Sequence, residues 1–269
     1  MSRRFWPGPA LFCIIAAFVT AYLIRSAPIL ATHTQLLHFQ PQLAHHQQPS
    51  TTTTLTNTQT TTATMSKVSA DTLLSAIKAR RSIYPLTKDL GSLTPSRIQQ
   101  LLSELTLHTP SSFNSQSNRI VVLFGAEHEK LWDITSETLQ AIVPADSWQG
   151  TADKMNMFKG AAGTVLFFDD QDTIHEYQNK FQAYAEKFDG WATQSNAIQQ
   201  YLSWTALELE GLGANLQHYN PLIDQRVASE WKLPASWKLN AQLIFGGVGA
   251  PAGEKSFKPV DERMKVFGA

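Results

Sequence analysis

The spacing of apolar residues predicts six helices after residue 70. In the first helix, Leu73, Leu74 and Ile77 recur at i, i+1 and i+4, and a basic stretch follows them. In the second, Thr94 and Pro95 form an N-cap and first-turn pair ahead of an apolar face. The other four helices are predicted at residues 127–142, 171–188 and 192–210, and from Pro221 onward.

Three short runs rich in β-branched and apolar residues predict strands at residues 119–124, 163–168 and 241–247. We expect the first two to be buried on both faces, because neither alternates between apolar and polar residues. Many helices separated by only a few strands indicate an α+β domain with a small sheet.

Two of the predicted helices carry long apolar stripes. The stripe of residues 171–188 is aromatic, and we interpret it as core or interface packing rather than a cofactor site. The helix at residues 192–210 is the best candidate for a central core helix. Their stripe residues are Tyr177, Phe181, Tyr184 and Phe188 in the first helix, and Ile198, Tyr201, Leu202, Thr205, Leu209 and Leu212 in the second.

Residues 1–30 have the character of a targeting or membrane-anchor segment. Two arginines precede an apolar run at residues 5–24, which is close to the roughly 20 residues that span a bilayer. Its uninterrupted part, residues 10–24, is intermediate between a membrane anchor and a signal-peptide core, and its acid-free composition also fits a mitochondrial presequence. We expect a mitochondrial or membrane localisation if this leader is used, with membrane association through residues 5–24.

Residues 31–65 are rich in Gln, His and Thr and are predicted to be a disordered linker, because they cannot bury enough apolar surface to fold. Met65 opens a stretch that reads like a natural protein start. A product beginning there would be cytoplasmic. The folded domain is therefore predicted to cover residues 66–269.

Charge and cysteine content exclude several functions for this domain. Residues 71–269 hold 18 basic and 22 acidic side chains, so we expect no nucleic-acid partner, which would need a basic stripe. The single cysteine, Cys13, precedes the domain, which excludes a disulfide, a cysteine nucleophile or a cysteine-ligated metal within it. His218 has no second ligand at metal spacing, so no metal site is predicted.

The basic stretch after the first helix is a candidate phosphate site. Arg80 and Arg81 present two guanidinium groups, which suit bidentate phosphate contacts, and Ser82 adds a hydroxyl. The alternative is a solvated face or a structural ion pair. A polar loop at residues 109–118 is a second candidate, because its Asn and Gln side chains can match the edge of a heterocycle, although an ordinary polar turn has the same composition.

These motifs occur in an order that resembles the nitroreductase family of flavoproteins, in its fungal and bacterial fatty-acid-repression branch. The resemblance covers residues 66–269 and depends on several short motifs rather than on one. The motifs are Arg80-Arg81-Ser82, then residues 110–116 (PSSFNSQ), then residues 211–220 (GLGANLQHYN), and finally Lys255 and Lys258 before Pro259. It implies a nitroreductase-like α+β fold with a small, mostly antiparallel sheet surrounded by helices, in an intertwined homodimer that binds FMN at its interface.

The resemblance also implies a role for each matching residue. Arg80 and Ser82 would hold the FMN phosphate and ribityl chain, with Arg81 beside them. The tail lysine Lys255 would add a phosphate contact, for which Lys258 is a substitute. Ser111, Ser112, Asn114 and Gln116 would meet the flavin from the other subunit, and Gln217 and His218 would lie near its redox-active face.

Two departures from the family pattern affect charge at the flavin, and a third is Ser117-Asn118, where the wider family commonly has Pro-Trp. Tyr84 stands where many members have a basic residue near the flavin pyrimidine, and Phe257 stands where an arginine usually follows the tail lysine. Charge that stabilises a reduced flavin would then have to come from elsewhere in the site.

The activity implied by the resemblance is a ping-pong transfer of hydride from NADH or NADPH, through FMN, to a small electron-poor acceptor such as a nitroaromatic or a quinone. An oxidative-stress response is one setting for it. No side-chain triad is required, because the cofactor performs the chemistry. Two alternatives stay open at this point: a non-enzymatic flavin or redox sensor that regulates a partner, and a membrane-tethered scaffold that binds no flavin.

Overall fold

The computed structural model describes residues 69–269. The leader predicted at residues 1–30 and nearly all of the linker and domain start predicted at residues 31–68 lie outside that part of the chain, and they stay predictions. Within residues 69–269, no helix is both long enough and apolar enough to cross a membrane.

Seven α-helices are present in residues 69–269. Serine or threonine caps the first two, where Ser69 accepts a hydrogen bond from Thr72 N and Thr94 accepts one from Arg97 N. The helices are α1 (Ala70–Ala79), α2 (Pro95–His108), α3 (Gly125–Gln140), α4 (Trp148–Lys159), α5 (Gln171–Lys180), α6 (Phe188–Leu209) and α7 (Asp224–Glu230). Two 3-10 turns lie at Ser112–Asn114 and Gln182–Lys187.

Five strands form one antiparallel sheet in the described part of the chain. They are β1 (Leu86–Thr87), β2 (Asn118–Phe124), β3 (Gly163–Asp170), β4 (Gly213–Gln217) and β5 (Trp237–Val248). The long strand β5 pairs with β3 along one edge and with β1 and β4 along the other, and β2 pairs with β3 on the outside. β5 is therefore the strand to which most of the sheet is attached.

The sheet separates two hydrophobic cores. Neighbouring side chains of β3 and β5 point to opposite faces, as the pleat of a strand requires. Leu166 and Ile244 belong to one core, with Trp132 of α3 and Phe158 of α4. Val165, Phe167, Leu243 and Phe245 belong to the other, with Ile98 and Leu102 of α2 and Leu207 of α6.

The predicted α+β class with a small antiparallel sheet is confirmed. Three element predictions were wrong. The helix expected at residues 171–188 is broken, because Phe181 leaves the helical conformation (φ −125°, ψ 61°) and α6 begins at Phe188. The helix expected from Pro221 begins at Asp224, and β2 is half-buried along most of its length, because it is an edge strand. Helix α4 was missed, although Thr151, Met155 and Phe158 are its buried residues at helical spacing.

The long helix α6 is central, as predicted, but part of its predicted apolar stripe is exposed and many of its buried residues are polar. Ile198, Tyr201 and Leu209 are exposed to solvent. The side chains that it buries include Ser195, Asn196, Gln199, Gln200 and Ser203. Several of these are hydrogen-bonded, two of them to other elements: Asn196 Nδ2 donates to Asp169 Oδ1 (2.7 Å) and Gln199 Nε2 donates to Thr106 Oγ1 (2.9 Å), while Gln200 Nε2 donates to Asn196 Oδ1 within the helix (2.8 Å).

A buried histidine links α3 to the sheet. His128 is fully buried, with Nδ1 2.9 Å from Thr164 Oγ1 and Nε2 3.1 Å from the carbonyl oxygen of Phe158. The carbonyl can only accept, so Nε2 donates to it and Nδ1 accepts from the threonine hydroxyl. That hydroxyl in turn accepts from Trp132 Nε1 (3.2 Å). Burial lowers the pKa of His128 to about 4, so the ring is neutral at pH 7.

This histidine predicts how stability responds to acid. The pKa of His128 is about 4 in the folded chain and near 6.5 when unfolded, so the unfolded state binds more protons between these values. The free energy of unfolding should therefore fall as the pH is lowered from 6.5 to 4, by up to about 3 kcal/mol. Replacing His128 with Gln should remove this part of the pH dependence, whereas the same change at the exposed His175 should leave it in place. Urea titrations at several pH values measure the free energy of unfolding. If it changes with pH identically in wild type and H128Q, the assignment is contradicted.

Candidate functional site

The segment Arg80–Ser82 leaves the end of α1 and joins the sheet. Ser82 forms a parallel bridge with Ala214 of β4, and Ile83 N donates to the carbonyl oxygen of Ala214 (2.9 Å). Gly213 permits this approach, because a Cβ at that position would lie 3.0 Å from both Cβ and Cγ2 of Ile83. Two of the sequence motifs, the arginine pair and the glycine-rich stretch, thus meet in the folded chain.

A buried asparagine fixes the junction. Asn215 is fully buried in β4, its Nδ2 donates to the carbonyl oxygen of Ile83 (2.8 Å), and its Oδ1 accepts from Gln217 Nε2 (2.9 Å). Both polar ends of the asparagine are therefore satisfied, as burial requires. The backbone that follows Ser82 is held in place by this side chain.

The guanidinium group of Arg80 lies on aromatic rings. Its central carbon is 4.4 Å from the ring centroid of Trp204 and 5.8 Å from that of Tyr201. Its Nε is buried without a hydrogen-bond partner among the described residues. Ser82 beside it is exposed. The result is a cation held by its face, whose guanidinium donates no hydrogen bond within residues 69–269.

Glu208 lies next to this cation. Its Oε2 accepts the backbone N–H of Arg81 (2.7 Å), and its Oε1 accepts Trp204 Nε1–H (2.9 Å). Burial raises the pKa of the Glu208 carboxyl, and the hydrogen bonds from Arg81 and Trp204, together with the charge of Arg80, oppose that rise. Sequence reasoning missed both Trp204 and Glu208, although their spacing of four residues on one helix placed them on a common face.

A cleft of about 210 Å³ opens beside these groups between α1 and α6. Arg80, Thr205 and Glu208 supply its polar lining, and Ala79 and Ile83 are among its apolar lining residues. The hydroxyl of Thr205 is, like Arg80 Nε, buried and has no hydrogen-bond partner in the part of the chain that the structure describes. The cleft therefore combines one cation with unsatisfied hydrogen-bonding atoms.

The polar loop has an unusual backbone. Phe113, Asn114 and Gln116 have φ values of 55°, 55° and 51°, in the left-handed region that side chains rarely adopt. Ser111 Oγ accepts Gln116 N–H (2.9 Å) across the loop, and the ring of Phe113 contacts that of Phe181 with centroids 4.4 Å apart. Further rings packed around Phe113 are those of Tyr184, Phe188 and Trp191. The aromatic stripe thus packs against the loop, in line with its interpretation as packing.

Within one chain, this loop does not meet the arginine pair. The loop is fixed to α6 at Ser195, whose Oγ donates to the carbonyl oxygen of Pro110 (2.7 Å), whereas the arginine pair is fixed at Glu208. These positions are thirteen residues apart, which is about 20 Å along a helix. The structure therefore brings Ser111, Ser112, Asn114 and Gln116 together with each other but not with Arg80–Ser82.

Gln217 ends the strand that contacts Ser82, and His218 follows it. Gln217 is buried and lies three residues beyond Ala214, which is about 10 Å along the strand. His218 is at the surface, and neighbouring atoms that desolvate part of its ring lower its pKa. The neutral ring is therefore favoured at pH 7.

The tail after β5 passes close to the arginine pair. Arg81 Nη2 donates to the carbonyl oxygen of Gly253 (2.5 Å), and Gly249 N donates to that of Pro85 (2.7 Å). Lys255 and Lys258 are exposed a few residues further on, and Lys255 Nζ is 5.2 Å from the ring centroid of Phe257. The tail lysines are thus attached near the arginine pair but make no hydrogen bond to it within residues 69–269.

The fold and these motifs identify the class of protein. Residues 77–247 match the nitroreductase family, and the chain belongs to that family. It is an oxidoreductase by that membership, which confirms the resemblance drawn from the sequence. Among curated relatives, the Saccharomyces cerevisiae protein HBN1 is 38% identical over 197 residues, covering 73% of this chain and 97% of that protein. The nitroreductase FRM2 of the same yeast is 34% identical over 185 residues, covering 68% and 92%.

Solved structures agree with this membership. The nitroreductase CinD from Lactococcus lactis, in complex with chloramphenicol, is 41% identical with a TM-score of 0.67, covering 72% of this chain and 99% of that one. A more distant structure from Desulfovibrio desulfuricans, in complex with FMN, is 22% identical with a TM-score of 0.52 and covers 72% and 97%. The latter likeness shows the shared fold.

The junction between the arginine pair and the sheet predicts a stability effect. Replacing Asn215 with Ala should lower the free energy of unfolding by about 1 to 3 kcal/mol, because the Ile83 carbonyl and Gln217 Nε2 would lose their partner in a buried place. Urea denaturation measures the change, and Asn156→Ala on the exposed surface of α4 is the matched control. If both variants are destabilised equally, Asn215 does not carry the junction.

Proposed function

We propose that the chain is an NAD(P)H-dependent FMN oxidoreductase that reduces nitroaromatics, quinones or similar electron-poor acceptors by a ping-pong exchange. The observation that carries the proposal concerns the Arg80 guanidinium. It is stacked on Trp204 and donates no hydrogen bond to a carboxylate or carbonyl of residues 69–269. Such a cation, beside the exposed Ser82, fits a phosphate ester.

The residues present fit FMN in charge and in donor set. Arg80 and Ser82 would bind the phosphate, with Arg81 beside them and Lys255 or Lys258 added by the tail. Ser111, Ser112, Asn114 and Gln116 would face the polar edge of the flavin, where amide groups can both donate and accept. Gln217 and His218 would border its reacting face. FMN supplies the hydride chemistry when bound, and these residues bind it, orient it and set its electrostatic surroundings.

The ligands of one relative support this acceptor class. CinD has been determined in complexes with chloramphenicol, nicotinic acid and 4-nitrophenol, two of which carry a nitro group on an aromatic ring. A planar electron-poor ring is the feature that these ligands share. We extend this class to the present chain, with NADH or NADPH as the hydride donor and with oxidative stress as a setting in which quinone reduction is useful.

The full chain should purify with a flavin absorbance spectrum or acquire one when FMN is added, and it should consume NADH or NADPH when 4-nitrophenol or a quinone is supplied. Replacing Arg80 with Ala should weaken FMN binding by about 10- to 100-fold, because it removes a charged phosphate contact. Arg97→Ala, which removes an arginine paired with Glu210 outside the cleft, should not. Fluorescence titration of the flavin and the loss of NADH absorbance measure the two effects.

A protein that shows no flavin bands after FMN is added would refute the proposal. A protein that binds FMN but does not consume NADH or NADPH with any acceptor would instead favour the redox-sensor alternative.

We further propose that the chain functions as a homodimer, with each site completed by its partner. The loop at residues 111–116 lies about 20 Å along α6 from the arginine pair within one chain. The 210 Å³ cleft is also smaller than the roughly 300 to 1,000 Å³ of a typical ligand site. Both observations are explained if a second copy brings its loop to the cleft.

An uncovered apolar surface supports the dimer. Leu73, Leu74 and Ile77 of α1 are 58%, 46% and 39% exposed, and Ile198 and Leu209 of α6 are exposed as well. Helix α1 buries none of its own residues and packs on α6, so the two helices form one apolar surface. A surface of this kind is characteristic of a protein interface.

Light scattering should therefore show a dimer at micromolar concentration, and Leu74→Asp should weaken both dimer formation and FMN binding, because a carboxylate in an apolar interface is costly. Ile142→Asp, at an exposed position after α3, is the matched control and should change neither. A monomeric wild-type protein that retains FMN would contradict this proposal while leaving the activity intact.

A further inference from the structure

Two residues of α6 contact the arginine pair. Trp204 and Glu208 are one helical turn apart and face the end of α1. Between them they contact the backbone of the segment at Arg81 and the side chain of Arg80. Each contact involves a different part of the segment, so the pair restrains both its path and its charged group.

The hydrogen bonds within the pair are complementary. One oxygen of Glu208 accepts Arg81 N–H at 2.7 Å, and the other accepts Trp204 Nε1–H at 2.9 Å. The second bond fixes the plane of the indole, and the face of that indole lies 4.4 Å from the Arg80 guanidinium. The orientation of the cation therefore depends on Glu208 through Trp204.

The same bonds explain why Glu208 does not neutralise the cation. A carboxylate beside an arginine usually forms a two-pronged pair with it, which would occupy the donors that a phosphate needs. Here each Glu208 oxygen already has an N–H donor, and no oxygen of Glu208 lies within 4.0 Å of a guanidinium nitrogen of Arg80. The carboxylate lies near enough to Arg80 to be influenced by its charge. Glu208 therefore holds the Arg81 backbone and the Trp204 indole in place without occupying the guanidinium donors of Arg80.

We propose that Trp204 and Glu208 are positioning residues for the phosphate of FMN, which hold Arg80 stacked, unpaired and aimed at the ligand. The proposal rests on the proposed function, because it assumes that Arg80 binds that phosphate. It assigns the two residues an effect on the phosphate group alone, since neither is placed against the flavin ring.

Riboflavin provides the discriminating comparison, because it has the ring system and the ribityl chain of FMN but no phosphate. The dissociation constants of the full chain for FMN and for riboflavin are measured by flavin fluorescence titration. Glu208→Gln keeps the size of the side chain but lets only one of its two terminal atoms accept an N–H. Trp204→Phe keeps an aromatic ring under Arg80 and removes the indole donor.

Both variants should bind FMN about tenfold more weakly than wild type, with riboflavin affinity unchanged within about twofold. Two matched controls should leave both affinities unchanged. Glu210→Gln makes the same chemical change two residues further along the chain, where the carboxylate pairs with Arg97. Trp231→Phe removes another indole N–H that donates to a carboxylate, that of Glu127 (2.9 Å).

Equal weakening of FMN and riboflavin binding would overturn the proposal, because it would indicate a general structural role. Unchanged FMN affinity in folded Trp204→Phe protein would also overturn it, whether or not Glu208→Gln folds, and circular dichroism establishes folding. If wild type binds neither flavin, the proposed function itself fails. If wild type binds FMN and riboflavin equally, the phosphate has been misplaced while flavin binding stands.

Discussion

The pairing of the segment after α1 with β4 is the constraint on which the site depends. Arg80, Arg81 and Ser82 belong to no helix or strand. A segment without other support would lose conformational entropy whenever it bound a ligand. Here the bond from Ile83 N to Ala214 and the Asn215 side chain attach the segment to β4. β4 is in turn attached to β5, which β3 holds from the other side and which is buried in both cores. The two hydrophobic cores thus supply the rigidity that the arginine pair lacks.

Much of the fold could be predicted from local pattern. Strands β3 and β5 contain many β-branched and aromatic residues. The starts of α1 and α2 are marked by the N-cap residues Ser69 and Thr94 and by Pro95 in the first turn of α2. The break near Phe181 could not be predicted, because the aromatic spacing continues through it. Its surroundings include the ring of Phe113, which comes from a loop about 70 positions earlier in the chain.

The site was predictable only in part, for a related reason. Arginines next to a serine indicate a candidate phosphate site by their chemistry alone. Nothing in the sequence around Trp204 and Glu208 indicates their role, because it depends on contact with a segment more than 120 residues away. The buried face of α6 shows the same difficulty, since Asn196 and Gln200 look like surface residues until Asp169 and Asn240 are placed beside them. Polar residues can be assigned to a core only when their partners are known.

Helix α6 also limits how this protein can change over evolution. Its residues from Ser195 to Glu208 join two anchor points, one at Pro110 and one at Arg81. Many substitutions along its exposed face would leave both anchors in place. Inserting or deleting one residue between Ser195 and Trp204 would turn both Trp204 and Glu208 by about 100° around the helix axis and move them by about 1.5 Å. Neither could then contact the arginine pair. We therefore expect this stretch of helix to vary in composition among relatives but to keep a constant length.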